Sequence, residues 1–260
     1  MPSHMLKDRI AVVTGGESGI GAACVAALAA AGADVGILYR EDQAEAEIGV
    51  RVVEALGGKA IAVQVDVGEE TSVEVGMDAV TQALGVADIL VNSAGLNMTG
   101  VEVADMELAQ WNRLIGTDLS GSFLTSRRFV RDLRDTGRAA AIVNITSIHA
   151  FAMRSGGADY DAAKGGQANL TRTLALEVAD RGITVNAVAP GMILTPMNGA
   201  ALQDDEHRRK LEGNIPAGRA GRPDEVAGVV VFLASPAGAY ITGATITIDG
   251  GLSLIQAPGA

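Results

Sequence analysis

The 260-residue chain is 48% hydrophobic but only 3% aromatic, and it carries a formal net charge of −11. That length and composition suit one large α/β domain whose core is built from Ala, Val, Ile and Leu between helix layers. The acidity argues against a nucleic-acid partner and against an anionic membrane surface, both of which are bound through Lys and Arg.

Strand and helix patterns alternate from the start. A short buried strand over 10–14 runs directly into TGGESGIG (14–21), and a helix over 22–31 follows, ended by Gly32. Next come a strand at 35–39, a helix at 44–56 closed by Gly57-Gly58, a strand at 60–65 and a helix at 73–84. After the strand at 88–92, a helix around 108–117 continues toward a long one reaching 134. The fifth strand, 142–146, is rich in β-branched residues and delivers Ser147 at its carboxyl end; the helix carrying Tyr160 then runs to about Ala179. A strand at 183–189, a helix at 223–234 and a last strand at 245–249 complete the pattern. This β-α-β alternation predicts a single doubly wound parallel sheet of about seven strands, with helices on both faces and right-handed crossovers.

One long irregular connection, 192–216, is read as a substrate lid. Within it, Asp204, Asp205 and Glu206 beside Arg208, Arg209 and Lys210 read as a solvated helix. Met1 to His4, ahead of Met5, are read as a cloning remnant, leaving one domain over 6–260. The lone Cys24 reads as a small packed hydrophobe, and His4, His149 and His207 make no zinc-ligand cluster, so no metal is expected. No run approaches ~18 apolar residues and no signal-peptide core is present, which predicts a soluble, cytoplasmic protein.

Tyr160 and Lys164 are four apart, so on a helix they share a face, and Ser147 sits where open α/β sheets hold their ligands. A hydroxyl, a phenol and an ammonium can converge there, although Tyr-x-x-x-Lys also arises by chance on solvated helices. Gly15, Gly19 and Gly21 are spaced G-x-x-x-G-x-G, which matches neither G-x-G-x-x-G nor a Walker A loop. The physics is shared, since glycines admit a pyrophosphate and the helix N-terminus supplies free N–H groups; the alternative is an ordinary tight turn. After the second strand stand Tyr39, Arg40 and Glu41. A carboxylate here would take the 2′-hydroxyl of NAD, and an Arg accommodates the 2′-phosphate of NADP. Arg40 favours NADP and Glu17 with Glu41 opposes it, so either cofactor is expected, with a mild NADP preference.

Taken together, TGGESGIG (14–21), Asp66, NSAG (92–95), Ser147, Tyr160 with Lys164, and Pro190-Gly191 followed by Thr195 resemble the short-chain dehydrogenase/reductase family over residues 6–252. SIHA (147–150), KGG (164–166), LTPMN (194–198) and DGGLSL (249–254) are most similar to bacterial glucose 1-dehydrogenases and polyol dehydrogenases. The 3-oxoacyl-carrier-protein reductases share much of this frame and form the alternative. The resemblance implies a Rossmann-type fold and an NAD(P)-dependent exchange between an alcohol or sugar hydroxyl and its carbonyl. It makes Tyr160 the acid/base, with Ser147 orienting the reacting oxygen and Lys164 favouring the ionised phenol while holding the nicotinamide ribose. Gly15, Ser18, Gly19, Ile20 and Gly21 fall to the cofactor, as do Arg40, Asp66 and Val67 at its adenosine half. Asn92, Ala94 and Gly95 would pack along it, and Pro190, Gly191, Ile193 and Thr195 would hold its nicotinamide end. Asp66 also fits a helix N-cap. The family's paired helices, here 122–134 and 160–179, imply a homotetramer.

Two positions depart from the family pattern. Ser93 stands where a second Asn is usual, a change that keeps the turn small. Asp118 stands where the family places a fourth catalytic member, an Asn whose backbone carbonyl holds a relay water. Asp keeps the carbonyl, loses the amide donor and adds negative charge. The expectation is that activity survives, because the relay needs mainly the carbonyl and charge effects nearly cancel in a partly solvated cleft. A cofactor-binding sensor without turnover is the rival that Asp118 favours. His149 is read as lining the substrate pocket rather than as catalytic, and Trp111 as helix packing.

Overall fold

Strand β1 (Ile10–Thr14) is apolar on both sides, and the structure shows why. In the computed structural model, which describes residues 5–254, Ala11 and Val13 enter one core layer and Val12 the other. Side chains alternate across a strand, so a sheet covered on both faces needs continuous rather than alternating apolarity. The predicted remnant 1–4 and the 255–260 end of the predicted domain lie outside the described residues.

The other strands are β2 (Asp34–Tyr39), β3 (Ala60–Gln64), β4 (Ile89–Asn92), β5 (Ala140–Ile145), β6 (Ile183–Pro190) and β7 (Thr245–Ile248). All pairings are parallel and the order is β3-β2-β1-β4-β5-β6-β7. The order reverses between β1 and β4, the switch point at which open α/β sheets bind ligands beyond their carboxyl ends. Helices in chain order are α1 (Gly19–Ala30), α2 (Gln43–Ala55), α3 (Glu70–Leu84), α4 (Leu108–Leu114), α5 (Gly121–Asp132), α6 (Ala158–Val178), α7 (Gly199–Gln203), α8 (Asp205–Glu212) and α9 (Pro223–Ala234). Val25 and Leu28 of α1, Val53 of α2 and Val230 of α9 close one layer. Met77 of α3, Phe129 of α5 and Leu174 of α6 close the other. Each fully buried side chain of this size contributes about 1.5–3 kcal/mol, so the two layers carry the single domain.

Several boundaries differ from expectation, and three of these differences bear on the cleft. Helix α1 begins at Gly19 rather than at 22. Glycine is a poor helix former, but a Cβ at Gly21 would fall 2.0 Å from the Gly15 carbonyl oxygen, so loop and helix must meet at glycine. Strand β5 ends at Ile145, and Ser147 instead caps a 3₁₀ turn over Ile148–Ala150, its Oγ accepting the His149 N–H at 3.1 Å. The helix expected over 108–134 is broken by a π-helical turn, Ile115–Ser120, between α4 and α5. Such widened turns recur at functional sites.

The connection read as irregular holds a 3₁₀ turn (Pro196–Asn198), α7 and α8. Asp204 caps α8 by accepting from the N–H groups of Glu206 and His207, and no residue of α8 is buried, as a solvated helix requires. Burial pushes the Cys24 thiol up to about 12, which suits a packed hydrophobe. Among the described residues no helix is long and apolar enough to cross a membrane, and no group of His, Cys, Asp or Glu could hold a metal ion.

Candidate active site

The carboxyl ends of the strands open into a cleft of about 770 Å³. At its floor Gly15 and Gly19 take φ of 61° and 53°, a region that side chains disfavour. A Cβ at Gly15 would also lie 2.9 Å from Ala94 Cα, so the loop packs directly on the turn after β4. Ser18 precedes α1 in extended conformation and makes no side-chain cap, which leaves the first amides of α1 uncapped by any side chain and facing the floor. These amides, the helix dipole and the glycine cradle fit the pyrophosphate of a dinucleotide.

Beyond β2, Arg40 is half-exposed, with Nη2 3.3 Å from Asp66 Oδ2 and Nε 3.8 Å from Glu41 Oε1. Glu17 Oε1 accepts the Arg40 N–H at 3.3 Å, while its Oε2 is buried without a hydrogen-bond partner. Asp66 is not the N-cap of α3, which is Glu69; its Oδ1 instead accepts the Gly68 N–H at 2.9 Å and shapes the turn after β3.

At the other end of the cleft, Ser147, His149, Tyr160 and Lys164 come together. Lys164 is 4% exposed, with Nζ 5.4 Å from the centre of the Tyr160 ring. Its Nζ donates to the Ile145 carbonyl at 3.2 Å and stands 3.1 Å from Asp118 Oδ2. Asp118 is fully buried, and its Oδ1 accepts the Leu96 N–H at 2.8 Å. Gly95 makes the room: a Cβ there would lie 2.8 Å from Asp118 Oδ2. Gly166 does likewise on α6, where a Cβ would lie 2.8 Å from Leu119 Cδ2 in the π-helical turn. Burial opposes charge on both partners and pushes the Asp118 carboxyl up, against the pull of Lys164 and the Leu96 amide. Burial also opposes the Lys164 ammonium, but Asp118 and Tyr160 outweigh it and hold its pKa above the ordinary lysine value.

The matching family model is described as enoyl-(acyl carrier protein) reductase and covers residues 15–253. A 3beta-hydroxysteroid dehydrogenase 1 from Eggerthella lenta is 40% identical over 249 residues, 96% of this chain and 95% of that protein. Glucose 1-dehydrogenase 2 of Bacillus subtilis is 33% identical over 249 residues, 96% of each chain. A solved short-chain dehydrogenase/reductase from Serratia marcescens superposes with a TM-score of 0.89 at 34% identity, covering 96% of this chain and 100% of that one. The chain is a short-chain dehydrogenase/reductase.

In this dehydrogenase/reductase most residues singled out from sequence line the cleft: Gly15, Ser18, Gly19, Ile20 and Gly21 at the floor, Arg40, Asp66 and Val67 on one side, and Ala94, Gly95, Pro190, Gly191, Ile193 and Thr195 further along. Asn92 does not. Its amide donates to Ser126 Oγ at 3.0 Å and Asn144 Oδ1 at 2.8 Å, and its Oδ1 accepts from Thr125 at 2.7 Å, a buried bracket joining β4, β5 and α5. This placement has a simple cause: Leu90 faces the α5 layer, and Asn92, two residues on, points the same way. Asp118 differs from expectation in its surroundings: its carboxylate stands beside Lys164, where its charge acts on the ammonium, but the residue is fully buried rather than partly solvated. The carbonyl accepts from Ser122 Oγ at 3.0 Å. Trp111 does not line the cleft, whereas Arg113, Thr117 and Arg154, which sequence reasoning passed over, do.

Proposed function

We propose that the enzyme interconverts a secondary alcohol, sugar or polyol hydroxyl and its carbonyl with NAD or NADP, in the manner of glucose 1-dehydrogenases. The observation that carries this reading is the convergence of Ser147, Tyr160 and Lys164 at one end of a cleft whose other end is a glycine loop with uncapped helix amides. The nicotinamide ring, when bound, supplies the hydride acceptor or donor. Tyr160 Oη takes the proton of the substrate hydroxyl or returns it. Ser147 Oγ already accepts the His149 N–H, so its own hydrogen is free for the reacting oxygen. Lys164 keeps a positive charge beside the Tyr160 ring, and Asp118 holds that charge in place. Arg40, Asp66 and Val67 take the adenosine half of the cofactor; Ala94, Gly95, Pro190, Gly191, Ile193 and Thr195 line the rest. The exposed Phe123 of α5 and Leu176 of α6 support the family's tetramer.

A 3-oxoacyl-carrier-protein reductase is the second reading, favoured by the carrier-protein description of the matching family model. A net charge of −11 repels an acidic carrier protein. A panel of sugars, polyols, simple ketones and an acyl-thioester mimic, followed at the nicotinamide absorbance with both cofactors, tests the choice. Turnover confined to the thioester would overturn the first reading.

The cofactor preference follows from Arg40. A charge-assisted Arg–phosphate contact contributes ~1.5–3 kcal/mol, and Glu41 and Asp66 beside the guanidinium, with Glu17 on the Arg40 backbone N–H, offset part of it. Both cofactors should serve, with NADP mildly preferred, and Arg40→Ala should weaken NADP binding while barely touching NAD. Calorimetric titration checks this; NAD binding the wild type tenfold or more tightly than NADP would refute the assignment, at about 1.4 kcal/mol per decade.

A further inference from the structure

Beside the substrate end of the cleft lies an acidic contact that the roles above leave unused. Asp161 follows Tyr160 on α6, does not line the cleft, and has a side chain only 10% exposed. Its Oδ1 lies 3.5 Å from His149 Nδ1. Both atoms are buried without a hydrogen-bond partner among the described residues, so each is the polar group the other has to turn to. Asp161 Oδ2 accepts the Arg154 N–H at 3.3 Å, which ties the carboxylate to the loop before α6. Gly157 leaves it room, since a Cβ there would lie 3.0 Å from both carboxylate oxygens.

An imidazole with one nitrogen directed at a carboxylate carries its proton on that nitrogen, which defines the other as an acceptor. His149 lines the cleft; its ring centre is 6.0 Å from that of Tyr160 at 74°, and its backbone N–H is bonded to Ser147 Oγ. Its Nε2 is neither sealed nor hydrogen-bonded among the described residues. We propose that Asp161 is a positioning residue that holds His149 with Nδ1–H toward the carboxylate and Nε2 open to the cleft, where it accepts a hydrogen bond from a hydroxyl on the carbon next to the reacting one. The substrate class is thereby narrowed to vicinal diols and α-hydroxy carbonyl compounds, sugars and polyols among them. This rests on the alcohol-oxidising reading.

The test compares a vicinal diol with the monohydric alcohol of the same carbon skeleton, in the wild type, Asp161→Ala, Asp161→Asn, His149→Ala and the Asp161→Ala/His149→Ala double variant. The ratio of kcat/KM for diol over monohydric alcohol should fall about tenfold in Asp161→Ala, the value of one hydrogen bond, with the loss on the diol lying in KM. Asp161→Asn, which keeps an acceptor, should restore most of the ratio. The double variant should fall no further than His149→Ala, because Asp161 acts through the imidazole. Equal loss on both alcohols, an unchanged ratio, or additive losses would overturn the inference while leaving the alcohol-oxidising reading intact. Absence of any alcohol turnover by the wild type would overturn both.

Discussion

Tyr160→Phe is expected to abolish turnover while leaving cofactor affinity nearly intact. The substitution keeps the ring that packs edge-on to His149 and lies beneath Lys164, and it removes only the oxygen proposed to exchange a proton with substrate. A lost general acid/base typically lowers the rate 10²–10⁴-fold, so a variant keeping more than about a tenth of wild-type kcat would contradict the assignment. Lys164→Ala should behave differently. It strips the charge from beside the phenol and the donor proposed for the nicotinamide ribose, so both rate and cofactor affinity should fall, and it leaves Asp118 buried without its partner.

The second large effect is expected at Asp118. Removing one member of a buried ion pair strands the other, a loss of about 3–5 kcal/mol in closed interiors. Lys164 also lines the open cleft rather than a closed interior, so Asp118→Ala should destabilise toward the lower end, about 3 kcal/mol. Asp118→Asn keeps an acceptor for the Leu96 N–H and should lose about 1–2 kcal/mol, with kcat within roughly tenfold of wild type. The pH signature separates charge from shape. Lys164 is held above its ordinary value of 10.5, so its stabilisation is fully present below that pH and is lost as pH rises through the raised value. Replacing the carboxylate by an amide removes the main cause, and the alkaline limb of both stability and kcat/KM should move to lower pH. Melting curves and rate profiles from roughly pH 7 to 11 would show this; superimposable profiles for wild type and Asp118→Asn would contradict the ion pair.

What was legible in the sequence was local. The glycine spacing after β1, the β-branched run of β5 and the four-residue step from Tyr160 to Lys164 each encode their own geometry, and the sheet follows from their alternation. What was not legible depends on chain segments meeting. That Asp118 is fully buried beside Lys164 depends on the π-helical turn that carries it and on Gly95 leaving space, neither of which has a sequence period. The pairing of His149 with Asp161 depends on how a 3₁₀ turn docks beside the first turn of α6. Asn92 is a different case: two-residue alternation along β4 was available and places it with Leu90, facing α5.

The central claim is that hydride passes between cofactor and a carbinol carbon at the end of the cleft where Tyr160, Ser147 and Lys164 meet. The most direct measurement uses reduced cofactor carrying deuterium at its transferable position, with the best ketone or sugar carbonyl from the substrate panel. Mass spectrometry of the product alcohol should find one deuterium on the carbinol carbon with the wild type and none with Tyr160→Phe. Product from the wild type without deuterium on that carbon, or equal labelling by the Tyr160→Phe variant at a comparable rate, would contradict it.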